Sequence, residues 1–277
     1  MKLAFQGELG AFSHLAALEF FPKSKIKTCQ TFEECFKLAM DNSEYKIIIP
    51  IENSLAGRVA DIHYLILKYK LQIYAEYFHP VRHNLMGLKG AKLENIKTVR
   101  SHSQAIGQCQ NIIKKNNLKP IISADTAGSA KYVSEKKDKT ESALASSLAA
   151  KIYGLEIIVG HVEDDPANVT RFLVMGKEIH HPELRDKKYI TSCIFRVKSK
   201  PAALYKCLGG FATNNVNLCK LESFSAKKSF EQVNFFIDIE GHIEESMVQK
   251  SLEELGFHTE NLDILGVYEA NKFRFKK

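Results

Sequence analysis

The chain has no Cys-x-x-Cys pair, no apolar run long enough to span a bilayer and no long block of like charge, although it carries 39 basic and 32 acidic residues. Each absence removes a class of function. Zinc ribbons and redox dithiols need paired cysteines. The six cysteines here, Cys29, Cys35, Cys109, Cys193, Cys207 and Cys219, are scattered and several sit on apolar faces, so they read as reduced core thiols. A membrane span needs about 20 apolar residues, so no membrane attachment is expected. The net charge of +7 is dispersed, with only short clusters such as Lys136-Lys137 and Lys276-Lys277. A nucleic-acid footprint requires clustering on one face, so nucleic acid is not an expected partner, whereas a small anionic substrate suits the balance.

A signal core and a charged leader are missing ahead of the strand-like Lys2-Leu3-Ala4-Phe5, which points to a cytoplasmic protein and removes Asn168-Val169-Thr170 as a glycosylation acceptor. A Rossmann fingerprint is missing too. Gly7-Glu8-Leu9-Gly10 has no third glycine, and no acidic residue follows a second strand at the needed distance, so NAD is not expected. Those glycines either admit a ligand to the backbone or simply make the turn.

Against these absences stand two polar clusters, each placed where a strand ends. Ile47-Ile48-Ile49 reads as a buried strand and leads into Pro50-Ile51-Glu52-Asn53-Ser54, while Asn168-Val169-Thr170-Arg171-Phe172 lies between two apolar runs. Open α/β folds bind ligands at the carboxyl ends of strands, so the two clusters predict one cleft. Up to about residue 178 short β-rich runs alternate with helical patterns, as in an α/β fold with parallel strands. Ser13 is a candidate helix N-cap ahead of Leu15, Leu18 and Glu19. Ser101 and Gln104 have capping-box spacing, which by itself accounts for both residues without catalysis. Asp125-Thr126-Ala127 opens another helix. The alanine-rich stretch Glu141–Tyr153 predicts a helix stopped by Gly154, and Ile157-Ile158-Val159 resumes the sheet.

At 277 residues and 45% hydrophobic composition the chain can build more than one core. A polar stretch with a breaker, 179–187, reads as a linker, and adjacent His180-His181 within it lack convergent partners for a metal. From 188 to 277 the order is strand, helix (Leu204, Cys207, Leu208, Phe211), two strands, helix (Met247, Val248, Leu252, Leu255) and strand, a ferredoxin-like βαββαβ pattern.

Taken together, Gly7-Glu8-Leu9-Gly10-Ala11-Phe12-Ser13, Pro50 to Ser54 with Gly57, Ser101-His102-Ser103-Gln104, Asp125-Thr126-Ala127 and Asn168 to Phe172 resemble the motifs of a monofunctional prephenate dehydratase followed by an ACT regulatory domain. The resemblance covers nearly the whole chain. It implies an α/β fold with a two-lobed, periplasmic-binding-protein-like catalytic domain over 1–178, its lobes formed by 1–77 plus 155–178 and by 78–154. It also implies no cofactor, no metal, the substrate prephenate, and a homodimer or homotetramer. No segment of chorismate mutase type is recognised, so turnover of chorismate is not expected.

The reaction gives those residue types a purpose. Prephenate carries two carboxylates and a ring hydroxyl, and it loses CO2 and water as the ring becomes aromatic. Aromatisation drives the step, so the enzyme supplies a proton or strong hydrogen bond to the departing hydroxyl and holds the dianion away from bulk water. By resemblance Thr170, Glu52, Asn53 and Gln104 are the catalytic positions, with Ser54, Arg171, Phe172, Ser13 and Ser101 binding substrate. A threonine hydroxyl is a poor acid, so Thr170 is expected to donate or relay rather than ionise. Glu52 is the alternative acid, Arg171 either grips a carboxylate or ties the lobes by an ion pair, and His14, His83 and His102 lie near the motifs. The resemblance further implies feedback by phenylalanine through Ala203, Leu204, Asn215, Leu218, Glu222 and Ser223. There the sequence departs from the family pattern: Ala202 stands where glycine is usual, and Phe224-Ser225 where Arg-Pro is usual. Arogenate dehydratase and a non-catalytic amino-acid sensor are the alternative readings.

Overall fold

The computed structural model describes residues 1–59, 62–198, 200–225 and 233–275, so the Lys276-Lys277 cluster lies outside the described residues. The first sheet begins with β1 (Lys2–Gln6), whose Leu3, Ala4 and Phe5 are fully buried, as in a strand covered on both faces. Helix α1 (Phe12–Phe20), β2 (Lys25–Cys29), α2 (Phe32–Asp41) and β3 (Tyr45–Asn53) follow, then the short β4 (Gly57–Arg58), α3 (Ile62–Tyr69) and β5 (Gln72–Pro80). The second sheet is built from β6 (Asn84–Gly87), β7 (Thr98–His102), β8 (Lys119–Ser123), β9 (Glu141–Ala145) and β10 (Glu156–Val159). Helices α4 (Ser103–Gly107), α5 (Gln110–Lys115), α6 (Thr126–Lys136) and α7 (Ser147–Tyr153) run between these strands. The chain then returns to the first sheet as β11 (Val169–Gly176).

Strand orders are β2-β1-β3-β11-β5, with β4 on β3, and β10-β6-β9-β7-β8. The expected parallel strands are present, but not alone. Parallel pairs such as β1–β2, β7–β8 and β7–β9 coexist with antiparallel β6–β9 and β6–β10. Strand β10 belongs to the second sheet, so residues 156–159, expected with the first lobe, lie with β6 instead.

Three local expectations are also corrected. Ser13 is not the cap of α1: Ala11 occupies the N-cap without a side-chain bond, and the Gly10 N–H donates to His14 Nδ1 at 3.0 Å. The capping box at Ser101 is absent as well. His102 caps α4 by accepting the Gln104 N–H, while the buried Ser101 hydroxyl donates to the Leu144 carbonyl at 2.7 Å. Finally, Glu141–Ala145 is a strand and only Ser147–Tyr153 is helical, with Gly154 as a left-handed C-cap. Pairing of β9 on both sides, with Ala143, Leu144 and Ala145 fully buried, outweighs the helix propensity of alanine. The expected cap at Asp125 is present and accepts the Gly128 N–H at 2.6 Å.

Gly10 shows why one glycine of the first motif is needed. It has φ +93°, and an added Cβ would stand 2.7 Å from the Ala149 Cα. The backbones of the α1 approach and α7 touch there, so this glycine serves a turn and a close helix contact.

After residues 177–188 the chain forms β12 (Tyr189–Val197), α8 (Ala203–Thr213), β13 (Leu218–Ser225), β14 (Val233–Glu240), α9 (Ser246–His258) and β15 (Thr259–Glu269). This βαββαβ run makes a sheet of order β13-β14-β12-β15 with antiparallel neighbours throughout. Its core packs Cys207 and Phe211 of α8 and Val248, Leu252 and Leu255 of α9 against Cys193, Phe195, Ile237 and Ile239 of the strands. Met247, expected on that buried face, is 49% exposed.

The chain forms two compact units, Met1–Cys35 with Ile48–Val59 and Phe78–Phe172, and Phe36–Ile47 with Ala60–Tyr77 and Leu173–Lys277. Within the second unit, β5 and α3 pack on the C-terminal sheet. Gly266 lies so close to the Ile73 backbone that a Cβ there would stand 2.2 Å from its carbonyl oxygen, and His63 meets Phe236 edge-on at 5.2 Å.

Candidate active site

Within the first unit the two polar clusters meet. The Asn53 carbonyl oxygen accepts the backbone N–H groups of Leu55 and Ala56 at 3.1 and 2.9 Å, an Asx turn that fixes which way the amide faces. Its nitrogen therefore points to the second cluster, donating to Asn168 Oδ1 at 2.7 Å, Thr170 Oγ1 at 3.0 Å and the Val169 carbonyl at 3.2 Å. Ser54 stitches the same strand ends: its hydroxyl donates to the Ala167 carbonyl and accepts the Val169 N–H, both at 3.0 Å. Segments 113 or more residues apart are thus held in register by small polar groups.

Arg171 sits one residue on and is only 2% exposed, with its guanidinium 3.2 Å from Glu52 Oε1 and 6.0 Å from the centre of the Phe78 ring. This ion pair joins β3 to β11 within one sheet, so it does not tie the two lobes as one reading of Arg171 expected. Phe172 is buried in the core at 1% exposure. Gln104 is exposed on α4 and Ser13 is half-buried on α1, both outside the Asn53 network.

Sequence reasoning missed Gln108. Its Oε1 accepts from Asn168 Nδ2 at 2.8 Å and lies 3.1 Å from His83 Nε2, so it extends the network beyond Asn53 and Thr170. The available signal was its place one helical turn after Gln104, four residues beyond the end of that motif. Around it Asp164 caps α5 through the Gln110 and Asn111 N–H groups, and Glu163 accepts the His83 N–H and pairs with Arg82 at 3.3 Å.

Burial lowers the pKa of His14, His79 and His83. At His79 and His83 it outweighs the neighbouring Glu19 and Glu163 charges and the hydrogen bonds from Glu19 and Gln108, which act the other way. His102 is committed to capping α4.

A cavity of about 290 Å³ in the same unit is lined by Phe12, Glu19, His79, Arg82 and Asn84, among others, and by none of the nine expected catalytic or substrate-binding residues. In the second unit a cavity of about 520 Å³ brings together Ala203 and Leu204 with Lys198, Lys200 and Tyr205, while Asn215, Leu218, Glu222 and Ser223 fall outside its lining. Ala202, on its edge, adopts φ +59°, the left-handed conformation that suits the glycine usual at this position. Among the described residues no three His, Cys, Asp or Glu side chains converge as metal ligands, and no helix is long and apolar enough to cross a membrane.

Mixed sheets with a polar hydrogen-bonded cluster at the carboxyl ends of β3 and the start of β11 define an α/β protein with an enzyme-like site. Residues 3–180 match the family model described as prephenate dehydratase, and the chain belongs to that family. It is 40% identical over 274 residues, 99% of this chain and 98% of the relative, to the bifunctional N-acyl-homoserine lactone acylase/prephenate dehydratase of Komagataeibacter europaeus. It is 35% identical, over 99% of this chain and 73% of the relative, to arogenate dehydratase/prephenate dehydratase 1 of Arabidopsis thaliana. Among solved structures, the prephenate dehydratase of Arthrobacter aurescens in complex with L-Phe superposes with a TM-score of 0.90 at 26% identity, covering 98% of this chain and 90% of that one.

Proposed function

We propose that the protein is a prephenate dehydratase that converts prephenate to phenylpyruvate in the cytoplasm. The observation that carries this reading is the hydrogen bond from Asn53 Nδ2 to Thr170 Oγ1 at 3.0 Å. With its oxygen occupied as an acceptor, the Thr170 hydroxyl keeps its hydrogen for another partner. In the reaction that partner is the departing ring hydroxyl. The C–O bond breaks as the hydroxyl takes up a proton and leaves as water, and the ring carboxylate leaves as CO2, its bonding pair completing the aromatic ring. Thr170 donates a hydrogen bond to the departing hydroxyl or relays the proton to it, Asn53 holds Thr170, and Glu52 with Arg171 sets the local charge. Gln104 and Ser13 remain as expected substrate contacts, Gln108 joins them on its bond to Asn168, and Ser54, Ser101 and Phe172 are engaged instead by backbone and core.

In this reading 1–178 is the catalytic domain and 188–277 an ACT domain that binds phenylalanine. The antiparallel βαββαβ sheet and the complex of the Arthrobacter relative with L-Phe support it. The edge strand β13, with Leu221 exposed, suits pairing with a second copy in a homodimer or homotetramer. The test is an assay of purified protein with prephenate, arogenate and an N-acyl-homoserine lactone in parallel. Release of phenylpyruvate from prephenate is expected. Phenylalanine from arogenate alone, or acyl release alone, would replace this reading with that of the corresponding relative.

A further inference from the structure

The orientations of the Asn53, Asn168 and Gln108 amides are all fixed from one end. The Leu55 and Ala56 N–H groups hold the Asn53 oxygen, so its nitrogen must face Asn168. The atom of Asn168 that receives this bond must then be its oxygen, and its nitrogen turns to Gln108. Gln108 in turn presents its oxygen, which accepts from Asn168 Nδ2 at 2.8 Å. A carbonyl oxygen only accepts, so the His83 Nε2 that lies 3.1 Å from it must carry hydrogen. The chain of dependence runs from a backbone turn, through three side-chain amides, to the tautomer of a histidine.

His83 is well suited to be the far anchor. It is 2% exposed, its backbone N–H is held by Glu163 Oε2 at 2.9 Å, and the Phe12 ring meets the imidazole edge-on at 5.2 Å, so the ring has little freedom to turn. Its Nδ1 is buried without a hydrogen-bond partner, consistent with a neutral ring whose single hydrogen is on Nε2. Burial opposes the charged form, and it outweighs the neighbouring Glu163 carboxylate, which favours that form.

Resting on the dehydratase reading, we propose that His83 is a positioning residue for the reaction. Its Nε2–H clamps the Gln108 carbonyl oxygen, so the Gln108 amide nitrogen, left outside the chain of bonds, is presented as a fixed donor to the substrate. Without His83 the Gln108 amide has a single partner, Asn168, and loses the second restraint on its rotation. A donor that must be ordered on binding costs transition-state stabilisation, and a displacement of about 1 Å costs up to about 100-fold in rate.

The test is a double-mutant cycle in the full-length chain. His83→Leu is expected to lower kcat/KM about tenfold. His83→Gln, whose amide nitrogen falls near the Nε2 position, is expected to recover most of it. In a Gln108→Leu background His83→Leu is expected to cost less than about twofold, because its target is gone. An equal cost in both backgrounds overturns the proposal. An independent measurement needs no substrate and no variant: imidazole nitrogen NMR of the wild type is expected to show the Nε2–H tautomer at His83, and the Nδ1–H tautomer overturns the proposal. Absence of turnover by the wild type with both prephenate and arogenate removes the dehydratase reading itself, a result distinct from either of these.

Discussion

Two polar clusters in this protein are built on opposite principles. In the first unit Asn53, Asn168, Gln108 and Thr170 form a chain of neutral groups that leaves hydrogens to spare on Thr170 and Gln108. In the second unit Glu76 and Arg274 form a bidentate ion pair at 2.6 and 2.8 Å. The Asn271 N–H adds to Glu76, and Arg274 Nη2 lies 3.4 Å from Asp238 Oδ2, whose other oxygen takes the Ser192 hydroxyl. The Glu76 and Asp238 side chains are both 0% exposed. A buried ion pair bonded also to backbone and to a second carboxylate holds structure, tying β5 to the C-terminal sheet. A chain of neutral amides with free donors is poised for a ligand. Charge alone would have pointed to the ion-pair cluster and away from the proposed site.

The largest test of this contrast is Thr170→Ala. It should cut kcat about 10²–10⁴-fold with a smaller change in KM and an unchanged melting temperature, and Thr170→Ser should retain more activity. Steady-state kinetics beside calorimetry reads both quantities, and near wild-type turnover in a folded alanine variant would take Thr170 out of the mechanism. Glu76→Leu should do the reverse. Removing one partner of a buried pair costs about 3–5 kcal/mol of stability, visible in denaturant unfolding, and the double replacement Glu76→Met with Arg274→Met should regain much of it. Stability equal to the wild type in the single variant would mean that the ion pair does not hold β5.

Ser54→Ala sharpens the boundary between the two roles. Its hydroxyl is engaged by backbone at both ends, so the loss is expected in stability, about 1 kcal/mol, with KM moving less than twofold. A severalfold rise in KM would restore Ser54 to the substrate contacts. The smallest effect is with pH. The pKa values of His14, His79 and His83 are all lowered from 6.5 by burial, so the unfolded chain binds more protons than the folded one below that point. The stability these groups contribute is complete above pH 6.5 and is lost as pH falls through their depressed folded values. Melting temperatures followed downward from pH 8 should decline below that value, and a flat profile to pH 5 would contradict the burial of these rings.

Much of the chain was legible before any coordinates. The motif segments, the helix cap at Asp125, the stop at Gly154 and the βαββαβ order all rest on local rules: side-chain caps, left-handed glycine and apolar period. The failures share a different cause. Glu141–Ala145 is a strand because β6 and β7 pair with it, and Ser101 bonds Leu144 instead of capping α4. No local rule contains those partners.

The same division runs through the site. Which side chains to expect in the site, a threonine with amides and an acid near it, came from the resemblance of the motifs to the prephenate dehydratase family. Who donates to whom did not. Gln108 enters through a bond to Asn168 across 60 residues, and Arg171 turns to Glu52 across 119. The facing of each amide, and the hydrogen on His83, depend on a turn at Leu55 and Ala56 passed along three further hydrogen bonds. A hydrogen bond is directional and requires its two partners at about 3 Å, and only the folding of β3 against β11 brings these groups that close.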